Sequence, residues 1–183
     1  LAKPSSHLMK TKMAVIMAGL SSASGAFVAD DDVAGKHEDL PDQYDHRAQV
    51  PDHPAVMARW RTESDAARAA HPPQVLKYGP GERQRIDWFD AGPQAWPQNG
   101  GRAPVVVFIP GGDWRALDGG EFSFVASPLL AHGVSVAIPT HDPAPDARLG
   151  RVVDQTRAAV EMVRARTDAR PVVVGHGAGA HLA

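Results

Sequence analysis

The 183 residues include 43% hydrophobic and 22% charged side chains with a formal net charge of -2, values that suit one globular domain and argue against a broad electrostatic attraction to nucleic acid or anionic lipid. There is no cysteine, which excludes disulfides, thiolate metal sites and a cysteine nucleophile. No run approaches the roughly 18 apolar residues of a membrane-spanning helix, and the 16 prolines and 17 glycines are scattered as turn formers without any repeat.

Residues 1–43 read as an N-terminal extension. Within it, residues 9–29 hold the three parts of a secretory signal: Lys10 and Lys12, the apolar run from Met13 to Leu20, and the small triplet Ser24, Gly25 and Ala26. A cytoplasmic protein is the expectation, with export as the alternative if Met9 is the true start. Residues 30–52 are polar and acidic, with Pro41 and Pro51, and read as a strap with little regular structure. Pro54 suits the first turn of a helix that runs through good helix formers to residue 70 and stops at His71, Pro72 and Pro73. Alternation around Ile86 and Trp88 predicts a strand over residues 84–89, and the Pro/Gly/Asn-rich segment 91–104 predicts a loop.

Val105 to Ile109 is an unbroken run rich in β-branched residues, as expected of a strand covered on both faces. A helix over residues 121–132, with Phe122, Val125 and Leu129 on one side, ends at Gly133, and a strand follows over 134–138. Leu149, Val152, Val153, Thr156, Val160 and Val163 keep the spacing of a buried helical stripe. Residues 171–174 form the last strand. The order strand, helix, strand, helix, strand calls for a mostly parallel α/β sheet with right-handed crossovers and helices on both faces. In such sheets ligands bind beyond the carboxyl ends of the strands. The turns at Gly111-Gly112 and Gly175 to Gly179 each follow a strand, so both belong on that rim.

The second turn admits two chemistries. Gly175-His176-Gly177-Ala178-Gly179 is the G-x-S-x-G elbow of serine hydrolases with glycine at the serine position. Gly175, Gly177 and Ala180 also satisfy G-x-G-x-x-A, a loose dinucleotide fingerprint. The fingerprint comes after two crossover units instead of in the first, and the acidic residue expected about 20 positions later would lie beyond Ala183.

Five blocks together resemble one family. Phe108 to Trp114, FIPGGDW, is similar to the H-G-G-x-W loop of the arylformamidase (kynurenine formamidase) and related esterase branch of the α/β-hydrolases, with Pro110 in place of the histidine. His141 to Asp146, HDPAPD, resembles the Y-x-L-A-P-E stretch of that branch, and Gly175 to Ala183 resembles its G-H-S-A-G-G-H-L-A elbow. Tyr44 to Pro54 and Tyr78 to Asp87 look like upstream segments of bacterial members. The resemblance is collinear over residues 44–183, which would form an α/β-hydrolase domain incomplete at its C-terminal side.

The resemblance implies transfer of an ester or formamide acyl group to water, by a nucleophilic serine, a histidine and an acid, with small-molecule substrates and no cofactor, metal, nucleic acid or membrane. Gly177 stands at the nucleophile position. The N–H groups of Gly112, Asp113 and Ala178 would hold the oxyanion, and Gly111 and Trp114 would line the substrate side. Asp113 would turn its carboxylate away, His176 and His181 would be structural, Trp114 would pack under the loop, and His141 and Asp142 would be turn residues. Two departures bear on activity. Gly177 has no side chain with which to form an acyl-enzyme, and Pro110 removes both the loop histidine and a backbone donor. In the family's order of serine, acid, histidine, the last two would lie beyond Ala183. The chain therefore reads as the N-terminal part of a hydrolase, inactive as it stands, or alternatively as a non-catalytic binding module on the same fold.

Overall fold

The computed structural model describes residues 50–92, 95–96, 103–167 and 170–183. The chain divides into two units, Leu1–Pro54 and Ala55–Ala183. The signal-like segment 9–29, the upstream block as far as residue 49 and most of the 91–104 loop lie outside the described residues. Among the described residues no helix is long and apolar enough to cross a membrane.

Helix α1, His53–Ala70, takes Pro54 in its first turn and ends where His71 donates to the carbonyl of Ala67 at 2.8 Å. Two strands follow, β1 (Gln74–Lys77) and β2 (Arg85–Phe89), paired antiparallel with Leu76 opposite Ile86. The sequence pattern marks β2 but not β1. Only Leu76 of β1 is even half-buried, so β1 has no apolar alternation and owes its conformation to the hairpin, closed by Tyr78 N–H to Gln84 O at 3.0 Å.

The centre of the sheet is β3 (Val105–Ile109) and β4 (Ser135–Thr140), parallel to each other and buried at every position. β2 adds antiparallel to β4, and β5 (Val172–Gly175) adds parallel to β3 on the other side, giving the order β1-β2-β4-β3-β5. Alternation along β3 then divides the core between two faces. On one, Val105, Val107 and Ile109 join Ile86, Trp88 and Ala137 beneath Ala159 and Val163 of helix α3 (Leu149–Thr167). On the other, Phe108 meets Phe122, with ring centroids 5.6 Å apart.

The stripe on α3 buries Val152, Thr156 and Val163 but leaves Leu149 45% exposed in the first turn, and it adds Gln155 and Ala159. The segment expected as one helix over residues 121–132 is two pieces. A 3₁₀ helix, Gly119–Val125, starts on an Asp118–Glu121 capping box and gives way to a short α-helix, α2, Ala126–Ala131. Pro128 accounts for the break. It has no N–H to continue an α-helix begun at residue 121, but it sits comfortably in the first turn of one begun at 126. Gly133 ends the segment at φ 73°.

Phe122 is 1% exposed and touches Trp60, Phe108 and Phe124. Phe122→Ala should lower unfolding stability by about 3–5 kcal/mol, measured by urea denaturation followed by Trp fluorescence.

Candidate functional site

The carboxyl ends of β3, β4 and β5 place three loops side by side. β5 ends at Gly175, and the chain reverses through His176 and Gly177 into the short helix α4, Ala178–Leu182. His176 N–H donates to Ile109 O at 3.1 Å, and Gly179 N–H turns back to His176 O at 2.8 Å. These bonds tie the elbow to the end of β3. Two glycines are obligatory on steric grounds. A Cβ on Gly175 would collide with the Gly179 carbonyl, and one on Gly179 with the carbonyls of Ile109 and Pro110. Gly177 differs from both. Its backbone lies at φ 52°, ψ -121°, a conformation that L side chains rarely adopt, yet a Cβ there would meet nothing within 4 Å. The backbone makes a sharp strand-to-helix turn here, and open space lies where a side chain at position 177 would stand.

The loop after β3 is strained over successive residues. Gly112 has φ 114°, Asp113 55° and Trp114 59°, and the turn closes through Arg115 N–H and Ala116 N–H, both donating to Gly112 O at 3.0 and 2.9 Å. Buried Gly111 leaves no room for a side chain, because a Cβ there would stand 2.7 Å from His176 Nδ1 and from the His176 carbonyl oxygen. The loop and elbow are therefore in contact. The amides of Gly112, Asp113 and Ala178 donate to no acceptor among the described residues. Asp113 is exposed. Trp114 is half-buried, its ring edge-on to His181 at 5.5 Å, with Nε1 buried and unbonded.

His176 is exposed as a residue, but its ring rests on Trp60 and Phe122, each at 5.9 Å between centroids, and the desolvation holds its pKa below the usual histidine value. An imidazole kept neutral by aromatic neighbours suits a packing role.

The third loop is braced by a contact with no sequence signal. The Gln155 side chain donates to Asp142 Oδ2 at 2.7 Å and accepts from Asp142 N–H at 2.8 Å. The Gln155 bond is the main cause of a carboxyl more acidic than usual, against some opposing desolvation, with smaller help from Gln84, Arg151 and Arg83. His141 Nδ1 lies 2.8 Å from Asp142 O, and Arg83 Nε donates to His141 O at 3.1 Å. Tyr78 donates to Thr140 O at 2.7 Å, and its phenol is pushed to a higher pKa by burial and then by Asp142. The loop joins the first through Ala144 N–H to Trp114 O at 2.7 Å. Among the described residues no group of histidine, aspartate and glutamate side chains could hold a metal ion.

No protein-family model matches the chain. It is 30% identical over 147 residues to a kynurenine formamidase of Salmo salar, a match covering 78% of this chain and 48% of that protein. A kynurenine formamidase of Drosophila melanogaster is 30% identical over 111 residues, covering 58% of this chain and 35% of that one. Among solved structures, a protein assigned as a thioesterase from Silicibacter sp. superposes with a TM-score of 0.67 at 29% identity, over 77% of this chain and 52% of that one. An esterase of Pyrobaculum calidifontis gives a TM-score of 0.52 at 22% identity, over 74% and 47%, a likeness of fold alone. The chain has the α/β-hydrolase fold. It spans about half the length, or less, of the curated relatives it matches.

Two measurements check this geometry. Gly177→Ser should cost about 1–3 kcal/mol, the strain of a side chain at that φ, whereas Gly179→Ser, which drives atoms into two carbonyls, should cost clearly more in the same urea titration. Because the Asp142 pKa is lowered on folding, its contribution is fully present above about pH 4 and is lost as pH falls through the lower folded value. Asp142→Asn should therefore flatten the acid limb of a stability-against-pH curve, measured between about pH 5 and 2.

Proposed function

We propose that this chain carries the acyl-transfer scaffold of an arylformamidase-like or esterase-like hydrolase, in which Gly177 occupies the nucleophile position and the amides of Gly112, Asp113 and Ala178 form the oxyanion site. The observation that carries this reading is the elbow: a strained turn at Gly177 with open space above it, in contact with a glycine loop in which the Gly112 and Asp113 amides have no acceptor among the described residues. The likeness to kynurenine formamidases supports an aryl formamide as the substrate class.

Hydrolysis on this scaffold needs an oxygen nucleophile to attack the acyl carbon and a base to take its proton. Gly177 offers neither. His176 and His181 are turned to aromatic rings, Trp60 and Phe122 for the first and Trp114 for the second, and serve as packing groups. Without a side chain at position 177 the chain does not turn over substrate. Asp113 contributes its amide and leaves its carboxylate in solvent, since a negative side chain at an oxyanion would oppose the developing charge. Gly111 lets the loop approach the elbow, and Trp114 anchors the loop on α4.

The unbonded amides also favour a second reading, a non-catalytic module that holds a small carbonyl ligand where the acyl group would sit. The purified chain should show no hydrolysis of a nitrophenyl ester above the buffer rate, and catalysis that survives repurification would overturn the proposal. Titration with benzoate under ¹⁵N NMR separates the two readings. Saturable shifts at the Gly112, Asp113 and Ala178 amides mark the binding module, and unchanged spectra leave the inactive scaffold.

A further inference from the structure

The segment from Tyr78 to Arg85 joins β1 to β2 and runs out to the rim. In the register of β2 with β4, Arg85 stands opposite Thr140, the last residue of β4, so the residues just before Arg85 extend past the carboxyl end of that strand. The turn is fixed from within. Tyr78 N–H donates to Gln84 O at 3.0 Å and Gln84 N–H to Gly81 O at 3.1 Å, and buried Gln84 packs so tightly on Gly79 that a Cβ there would collide with its side-chain amide. Arg83 is half-buried on this turn. Its Nε donates to His141 O at 3.1 Å and its Nη2 to Leu117 O at 3.3 Å, so one guanidinium ties the loop after β4 to the loop after β3.

Leu117 is the sensitive end of that link. It is the last left-handed residue of the glycine loop, at φ 69°, after Gly112, Asp113 and Trp114. Backbone of this kind persists only where its surroundings over-determine it. Gly112 folds back on the end of the same loop, so closely that a Cβ on it would collide with the Ala116 carbonyl and stand 3.2 Å from Leu117 Cγ. A shift at Leu117 is therefore felt at Gly112. Ala144 N–H holds the same loop at Trp114 O, 2.7 Å away, and Ala144 belongs to the loop whose His141 carbonyl Arg83 also engages.

We propose that Arg83 is a positioning residue, which fixes the glycine loop in the conformation that leaves the Gly112 and Asp113 amides without an internal acceptor. Its purpose rests on the reading of those amides as oxyanion donors, whereas its hold on the loop stands on the geometry alone. The residue type follows from the task. Two carbonyls on separate loops need two N–H groups held in one plane, which a guanidinium supplies ready-made and an ammonium does not. The turn lies on the β2 side of the sheet, with β4 and β3 between it and β5.

Hydrogen exchange of the ¹⁵N-labelled chain reads the effect, because the Arg115 and Ala116 amides, bonded to Gly112 O, stay protected only while the loop is closed. Arg83→Met keeps the stem and removes both donors. It should speed exchange at Arg115 and Ala116 by about tenfold or more, with the amides of β3 and β4 changed by less than about twofold. Arg83→Lys keeps the charge and should speed the same two amides by about threefold or more, which decides the matter if Arg83→Met does not fold. Arg151→Met removes a partner of Asp142 and leaves Leu117 O untouched, so it should match the parent. Unchanged exchange at Arg115 and Ala116 in the Arg83 variants, or an acceleration shared equally by β3 and β4, would overturn the proposal. Benzoate tests the oxyanion reading separately. If the parent binds it, Arg83→Met should weaken binding by about fivefold or more, and undiminished affinity counts against Arg83. A parent that ignores benzoate while its loop loosens in Arg83→Met removes the oxyanion reading and leaves Arg83 as the residue that holds the loop.

Discussion

The main chain of Gly179 runs so close to the carbonyls of Ile109 and Pro110 that even a methyl group would collide. That approach, with the equivalent one of Gly175 on Gly179, sets the distance between the end of β3 and the elbow after β5. Everything chemical on the rim depends on it. The glycine loop is held in contact with the turn, the free amides of both lie on neighbouring segments, and His176 is delivered onto Trp60 and Phe122. The contact exists because β3 and β5 are parallel neighbours in the sheet, with Ile109 level with Gly175. A hydrophobic core thus fixes a polar geometry on bare backbone.

Much of this was legible in the sequence, for identifiable reasons. β3 and β4 are buried on both faces, so their apolar runs are unmistakable. The elbow glycines are forced by backbone contacts that no other residue satisfies, and a forced residue leaves a clear mark. β1 left none, because its four residues are mostly exposed and its conformation is imposed by β2. The division of the segment 119–131 is visible afterwards in Pro128, whose missing N–H decides where the α-helix can begin. Gln155 looks from the pattern like a polar interruption in an apolar stripe. Its reason is Asp142, thirteen residues earlier, and a pairwise hydrogen bond has no period to detect.

The site itself was readable as a set of turns and less so as a set of neighbours. The motif places Gly111, Gly112 and Gly177 on one rim, but nothing in the spacing predicts that Trp60, on a helix more than a hundred residues earlier, would form part of the floor beneath His176. Trp114 was expected as a packing anchor, and the ring does lie against α4 through His181, with its indole N–H left unbonded.

The path from Gln155 by hydrogen bonds to Asp142, along the chain to Ala144, and by a further hydrogen bond to Trp114 O has a mechanical consequence. It forms a strut between the interior of the sheet's longest helix and the strained loop at Gly112. Force applied at the loop is passed through these bonds to a buried glutamine held by the helix packing. Rigidity at the rim is thus borrowed from the core, and it persists whether or not a side chain stands at position 177.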